Sequence, residues 1–223
     1  MNDNEKLFIN VPKYEEEIKE FIDLGDRFQA LMMYYRCAIR EITTKFEVLN
    51  EEFSTRNQRN PIEYITSRVK KPISIVEKLR RKNLPVSYES MQELNDIAGV
   101  RVICSFIDDI YRVAELLSKQ DDIKVLEIKD YIRNPKPNGY RSYHMIVEVP
   151  VFFSDCTRPI RVEVQIRTIA MDFWSSLEHE LKYKKEIEDS EVISEELRLC
   201  AEKISETDEN MLQIRKRIFK EGL

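Results

Sequence analysis

Residues 143–151, YHMIVEVPV, and residues 160–168, IRVEVQIRT, are separated by a single short connection. Both are rich in β-branched residues and carry the two-residue alternation of extended strands. Upstream the signals interleave differently. GVRVICSF (99–106) reads as a strand, DDIYRVAELLSKQ (108–120) as a helix and IKVLEIKDYI (123–132) as a strand. After the adjacent pair, IAMDFWSSLEHELKYK (169–184) reads as a helix, while PIEYITSRVKKPISIVEKLRRK (61–82) reads as two short helices. Strands first separated by helices and then adjacent predict an α/β (α+β) domain on a mixed sheet.

That domain spans about 61–185, between an N-terminal helical extension (1–60) and a C-terminal helix (186–223). In residues 13–50, Ile18, Phe21, Phe28, Met32, Tyr35, Ile39, Ile42, Phe46 and Leu49 keep helical spacing, with Gly25 as a point where the helix can split. Near the other end, Ile193, Leu197, Cys200, Ile204, Thr207, Met211, Ile214 and Ile218 alternate steps of four and three, a heptad seam. Two accounts fit these stripes: packing within one chain, or packing that also assembles an oligomer.

Composition narrows the classes. Of 223 residues, 42% are hydrophobic, enough for a real core, and the net charge of −5 means that any anion site is local. Cys37, Cys104, Cys156 and Cys200 lie far apart and only two histidines are present, a poor basis for a zinc site. No apolar run is long enough for a membrane span, and MNDNEKLFIN lacks the regions of a signal peptide, so a reduced, cytoplasmic protein is expected.

Four places carry chemistry. Residues 61–83 hold seven cations against Glu63 and Glu77. Pro72 can open a helix on which Ser74, Lys78 and Arg81 share one face while Ile75 and Leu79 take the other. A hydroxyl, an ammonium and a guanidinium together suit a polyphosphate, although a plain solvated basic face has the same composition. In RVEVQIR (161–167), Val162, Val164 and Ile166 alternate with Arg161, Glu163, Gln165 and Arg167. A strand with one wholly polar face either sits at a sheet edge or lines a site. Asp96, just before a strand that carries Arg101, can hold a magnesium ion with its phosphates or simply cap a turn. Finally, RNPKPNGYRSYH (133–144) gathers Lys136, Arg141, His144 and the stackable ring of Tyr140 into a proline-stiffened loop. Two carboxylates, many cations and a ring fit magnesium-dependent transfer between nucleotides.

SRVKKPISIVEKLRRK, NDIAGVRVICSF, KDYIRNPKPNGYRSYH and VEVQIRTIAMDFWSSLEHELKYK, in this order, closely resemble the synthetase domain of the RelA/SpoT family, and the chain length resembles that of its stand-alone small alarmone synthetases. The resemblance implies a nucleotidyltransferase-like fold and transfer of pyrophosphate from ATP to the ribose 3′-hydroxyl of GTP or GDP, giving (p)ppGpp and AMP. It implies Asp96 as the Mg2+ ligand, and Glu163 as the base for the 3′-hydroxyl and a second ligand. Arg68 and Arg101 would sandwich adenine, and Lys70, Ser74, Lys78 and Arg81 would hold the ATP phosphates. Tyr140 would stack on guanine, with Lys136 and His144 near the acceptor's phosphates and Gln165 and Glu178 as neighbours. The same resemblance implies a homotetramer built through terminal helices, and possible partners between subunits in an allosteric nucleotide or single-stranded RNA.

The chain departs from the family at EIKD (127–130), which mixes the R-x-K-D and E-x-D-D patterns and leaves metal dependence and GTP-versus-GDP preference open. The family's hydrolase requires a His-Asp metal motif, but His144 precedes Met and His179 precedes Glu. Nor does the length leave room for the regulatory C-terminus of long members. Two competitors remain: the same fold acting on the 3′ end of tRNA, and a non-catalytic RNA-binding oligomer.

Overall fold

A computed structural model describes residues 11–56, 59–183 and 190–219, with side chains described except at 11–24, 182–183 and 190–191. Its elements are α1 (Val11–Thr55), β1 (Ile62–Val69), α2 (Pro72–Arg81), α3 (Tyr88–Gln92), β2 (Ala98–Cys104), α4 (Ile107–Ser118), β3 (Lys124–Asp130), β4 (Tyr143–Phe152), β5 (Thr157–Thr168), α5 (Ile169–Tyr183) and α6 (Ser190–Phe219).

The five strands form one mixed sheet in the order β1-β2-β5-β4-β3. Only β2 and β5 pair in parallel; the other three pairings are antiparallel. The two stretches 143–151 and 160–168 are therefore neighbouring antiparallel strands, and β5 lies at the centre of the sheet.

One face of the sheet is the core. Val162, Val164 and Ile166 are fully buried there with Val100, Val102, Met145 and Val147, under α1 and α4. The α1 stripe meets it as its spacing requires: Met32, Tyr35, Ile39, Ile42, Phe46 and Leu49 are all buried and Phe28 is partly so. Ile18 and Phe21 lie outside the residues whose side chains are described. The helix passes Gly25 unbroken, so no split occurs there; nothing stands within 4 Å of a side chain placed at that position.

The reading of 61–82 needs correction. The first half of 61–82 is not a helix but strand β1, antiparallel to β2. As an edge strand it hydrogen-bonds on one side only and is largely exposed, so the two-sided apolar run that marks an internal strand is missing. Pro72 then opens α2, with Ile75 and Leu79 fully buried as the helical spacing predicts.

The stripe on α6, for which two accounts were open, behaves differently from that on α1. Its heptad seam does not pack within the chain over its second half: Thr207, Met211, Ile214 and Ile218 are exposed. The face that docks carries Ala201, Asp208, Leu212 and Arg215 instead. Thr168 Oγ1 donates to Asp208 Oδ2 at 2.5 Å, and the Arg215 guanidinium holds both Asp108 oxygens at 2.9 and 2.5 Å. Two charged side chains thus do part of what apolar ones do elsewhere, because each finds a specific partner.

Candidate active site

The sheet register builds the site. Gly99 lies beside Glu163, and Arg101 beside Gln165. β1 adds Arg68 beside Gly99 and Thr66 beside Arg101. β4 adds Ile146 and His144, and β3 ends the rows with Glu127 and Lys129. Cross-strand neighbours project to the same face. Two rows result, Arg68–Gly99–Glu163–Ile146–Glu127 and Thr66–Arg101–Gln165–His144–Lys129. Since β5 is internal, its polar side chains line a site rather than a solvated edge.

Two cavities of about 570 and 170 Å³ lie against this face and share Arg68, Asp96, Arg101, Glu163 and Gln165 as walls. Asp96 and Glu163 therefore face one cleft. The larger cavity is also walled by Lys136, Asn138 and Tyr140 of the 133–144 loop, by His144 and Arg167, and by Ser175, Ser176, Glu178 and His179 of α5. Asn138 Nδ2 donates to Glu178 Oε1 at 3.1 Å, which joins loop to helix. Gly139 turns that loop with φ of 85°, and a side chain there would meet Ala201 Cβ at 2.5 Å. Glycine is required on both counts.

Asp96 Oδ2 receives Lys70 Nζ at 2.8 Å and Lys78 Nζ at 2.5 Å. Burial pushes its carboxyl up, but the two ammonium groups outweigh burial and hold it below the usual carboxylate range. Its other oxygen, Oδ1, is buried without a hydrogen-bond partner. Glu163 follows the same balance: burial raises it, while His144 and then Gln165 bring it below its ordinary value. Gln165 Nε2 donates to Glu163 Oε2 at 2.8 Å, and His144 Nδ1 stands 3.6 Å from Oε1.

His144 is itself held down, by burial first, and is neutral at pH 7. Its tautomer follows from its neighbours. Arg167 Nη2 donates to Tyr140 Oη at 2.6 Å, and Glu163 beside Nδ1 is an acceptor only, which leaves Nε2, 2.8 Å from the tyrosine hydroxyl, to accept from it. The ring proton then sits on Nδ1, toward Glu163. The Lys136 ammonium lies 4.6 Å from the Tyr140 ring centre and 4.7 Å from that of Tyr131.

Of the thirteen residues expected at the site, nine wall the cleft: Asp96, Glu163, Arg68, Arg101, Lys136, Tyr140, His144, Gln165 and Glu178. Lys70 and Lys78 join through Asp96. Ser74 and Arg81 wall neither cavity; Ser74 is half-buried on α2 and Arg81 is exposed. Sequence reasoning missed Arg167 and Asp172. Alternation put Arg167 on the polar face, but nothing in the sequence shows that it is 4% exposed and bonded to Tyr140, Gln165, Ser142 and Asp172. Asn138 and His179 adjoin residues that were expected, and proximity in sequence was the only signal for them.

Residues 67–188 match the model of the region found in RelA / SpoT proteins. The chain belongs to the RelA/SpoT family. Among its relatives, GTP pyrophosphokinase YwaC of Bacillus subtilis is 45% identical over 188 residues, which cover 84% of this chain and 90% of YwaC. The fold agrees with that of small alarmone synthetases. Small alarmone synthetase 1 of B. subtilis, bound to its product pppGpp, superposes with a TM-score of 0.80 at 37% identity, over 86% of this chain and 98% of the other. The same synthetase bound to AMPCPP gives 0.75 at 34% identity, over 87% and 99%. The RelA/SpoT match begins inside β1 and covers every cavity residue named above.

Proposed function

We propose that this chain is a GTP pyrophosphokinase that transfers pyrophosphate from ATP to the ribose 3′-hydroxyl of GTP or GDP. The observation that carries this is the cleft shared by Asp96 and Glu163, with Arg68 and Arg101 at one end and Tyr140, His144 and Lys136 at the other. One end suits ATP and the other the acceptor, and the two carboxylates face the same cleft. The relatives support it: YwaC is a GTP pyrophosphokinase by name, and small alarmone synthetase 1 holds pppGpp in one structure and AMPCPP in another. They give no support to the tRNA-end and RNA-scaffold alternatives.

In this reading the guanidinium groups of Arg68 and Arg101 hold adenine, and Lys70 and Lys78 neutralise the triphosphate, with Ser74 and Arg81 further along α2. Guanine stacks on Tyr140 once Lys136 leaves that ring for the acceptor's phosphates, beside His144; Gln165 and Glu178 border the same end. Glu163, unprotonated at neutral pH, accepts the proton of the 3′-hydroxyl as its oxygen bonds to the β-phosphorus. The bond from that phosphorus to the bridging oxygen breaks, and AMP leaves. Holding both nucleotides in line supplies much of the acceleration.

Mg2+ fits the residues present. Asp96 Oδ1 is a buried anionic oxygen without a partner, and Glu163 faces the same cleft. Two protein carboxylates, completed by phosphate oxygens and water, are an ordinary environment for this hard cation. Asp96 and Glu163 would hold it, and when bound it would neutralise charge developing on the transferred group.

We also place the synthetase domain at 61–185, and read the exposed Met211, Ile214 and Ile218 of α6 as part of a homotetramer interface. No helix among the described residues is long and apolar enough to cross a membrane, which accords with a cytoplasmic enzyme.

Incubation with labelled ATP, Mg2+ and GTP, GDP or GMP side by side tests the activity. AMP and a 3′-pyrophosphorylated guanosine nucleotide should appear together. Failure to form either with any acceptor across several divalent metals contradicts the proposal.

A further inference from the structure

Asp172 belongs to the first turn of α5, an exposed position on most helices, yet it is only 9% exposed. Its carboxylate points back at the sheet. Oδ1 receives Arg101 Nη1 at 3.1 Å and Arg167 Nη1 at 3.2 Å; Oδ2 accepts the Tyr64 hydroxyl at 3.1 Å. Arg101 walls both cavities, at the end assigned to ATP. From Arg167 the contacts run the other way: Nη2 donates to Tyr140 Oη at 2.6 Å and to Gln165 Oε1 at 2.8 Å. Those two side chains contact His144 and Glu163.

We propose that Asp172 is a positioning residue that ties Arg101 at the donor end to Arg167 and Tyr140 at the acceptor end, so that each nucleotide strengthens the binding of the other. The proposal rests on reading the cleft as a site for two nucleotides. Its physical basis is the single oxygen shared by two guanidinium groups. Without that anion the two cations repel each other across a poorly solvated space. With it, Arg167 is held in a planar fork whose other donors are committed, and Arg101 is held through its Nη1. A ligand that fixes Arg101 therefore fixes Oδ1, and through it the orientation of Arg167 and the hydroxyl it holds. Thermodynamic linkage makes the effect reciprocal.

The contact set separates this role from general stabilisation. Asp172 walls neither cavity, so it touches no bound nucleotide there. Its removal should leave each subsite's own contacts in place and change how the two communicate.

Calorimetric titration of the Mg2+-supplemented full chain with AMPCPP, with and without saturating GDP, reads this directly. In the wild type GDP should tighten AMPCPP binding by about fivefold or more, the lower end of ordinary coupling. In Asp172→Asn the factor should fall to about one, and Asp172→Glu, which restores the charge, should recover part of it. A factor unchanged in Asp172→Asn overturns the proposal, even if both nucleotides bind more weakly, since that is what a merely structural carboxylate gives. Should Asp172→Asn not fold, Arg167→Lys carries the test, because it keeps the charge and loses the fork; retained coupling there is equally fatal. Wild-type protein that binds both nucleotides independently overturns the bridge alone. Wild-type protein that binds neither removes the two-nucleotide reading and the bridge with it.

Discussion

Strand β5 carries two surfaces on one backbone, and they obey different rules. On one side Val162, Val164 and Ile166 are fully buried under α1 and α4, held by area and volume with no directional demand. On the other, Glu163, Gln165 and Arg167 are bonded to one another and to Tyr140, His144 and Asp172, each contact depending on angle and charge. The apolar face resists loss of volume. The polar face resists loss of a single atom's chemistry, because an unpaired buried donor or charge costs more than the pair contributes. Apolar packing and directed polar contacts thus occupy opposite sides of the same six residues.

The largest stability effect should come from the apolar side. Ile166→Ala removes a fully buried side chain and should cost about 2–5 kcal/mol in urea unfolding, with turnover per folded molecule retained. Loss of turnover in the folded fraction would blur the division between the faces.

A smaller effect should separate them by pH. His144 has its folded pKa depressed below its ordinary 6.5, chiefly by burial. The unfolded chain therefore binds a proton that the folded chain excludes, so this contribution is intact above pH 6.5 and is lost as pH falls from 6.5 toward the lower folded value. Wild-type stability should decline over that window, and His144→Asn should decline less steeply. Identical slopes would mean that the ring titrates as it does in water.

What the sequence disclosed follows the same division. Apolar alternation marked β2, β4 and β5, and the α1 stripe was read residue by residue, because burial of area leaves a periodic trace. The polar face of β5 was visible as alternation, but whether it met water or a cleft depended on strand order, which no local pattern carries. β1 was misread because an edge strand in a basic stretch lacks the two-sided apolar signal. The docking face of α6 was missed because Asp208 and Arg215 look like solvent residues until Thr168 and Asp108 are placed beside them. Asp172 was invisible for a similar reason: its three partners come from three different strands.

The most direct test of the polar face removes one charge from its centre. Glu163→Gln preserves shape, so turnover and thermal midpoint should be measured on the same preparation. Loss of the base should lower the rate of AMP formation about 10²–10⁴-fold while the midpoint stays close to that of the wild type. A variant that keeps most of its rate, or loses it only because it no longer folds, would contradict the assignment of this carboxylate to the chemistry.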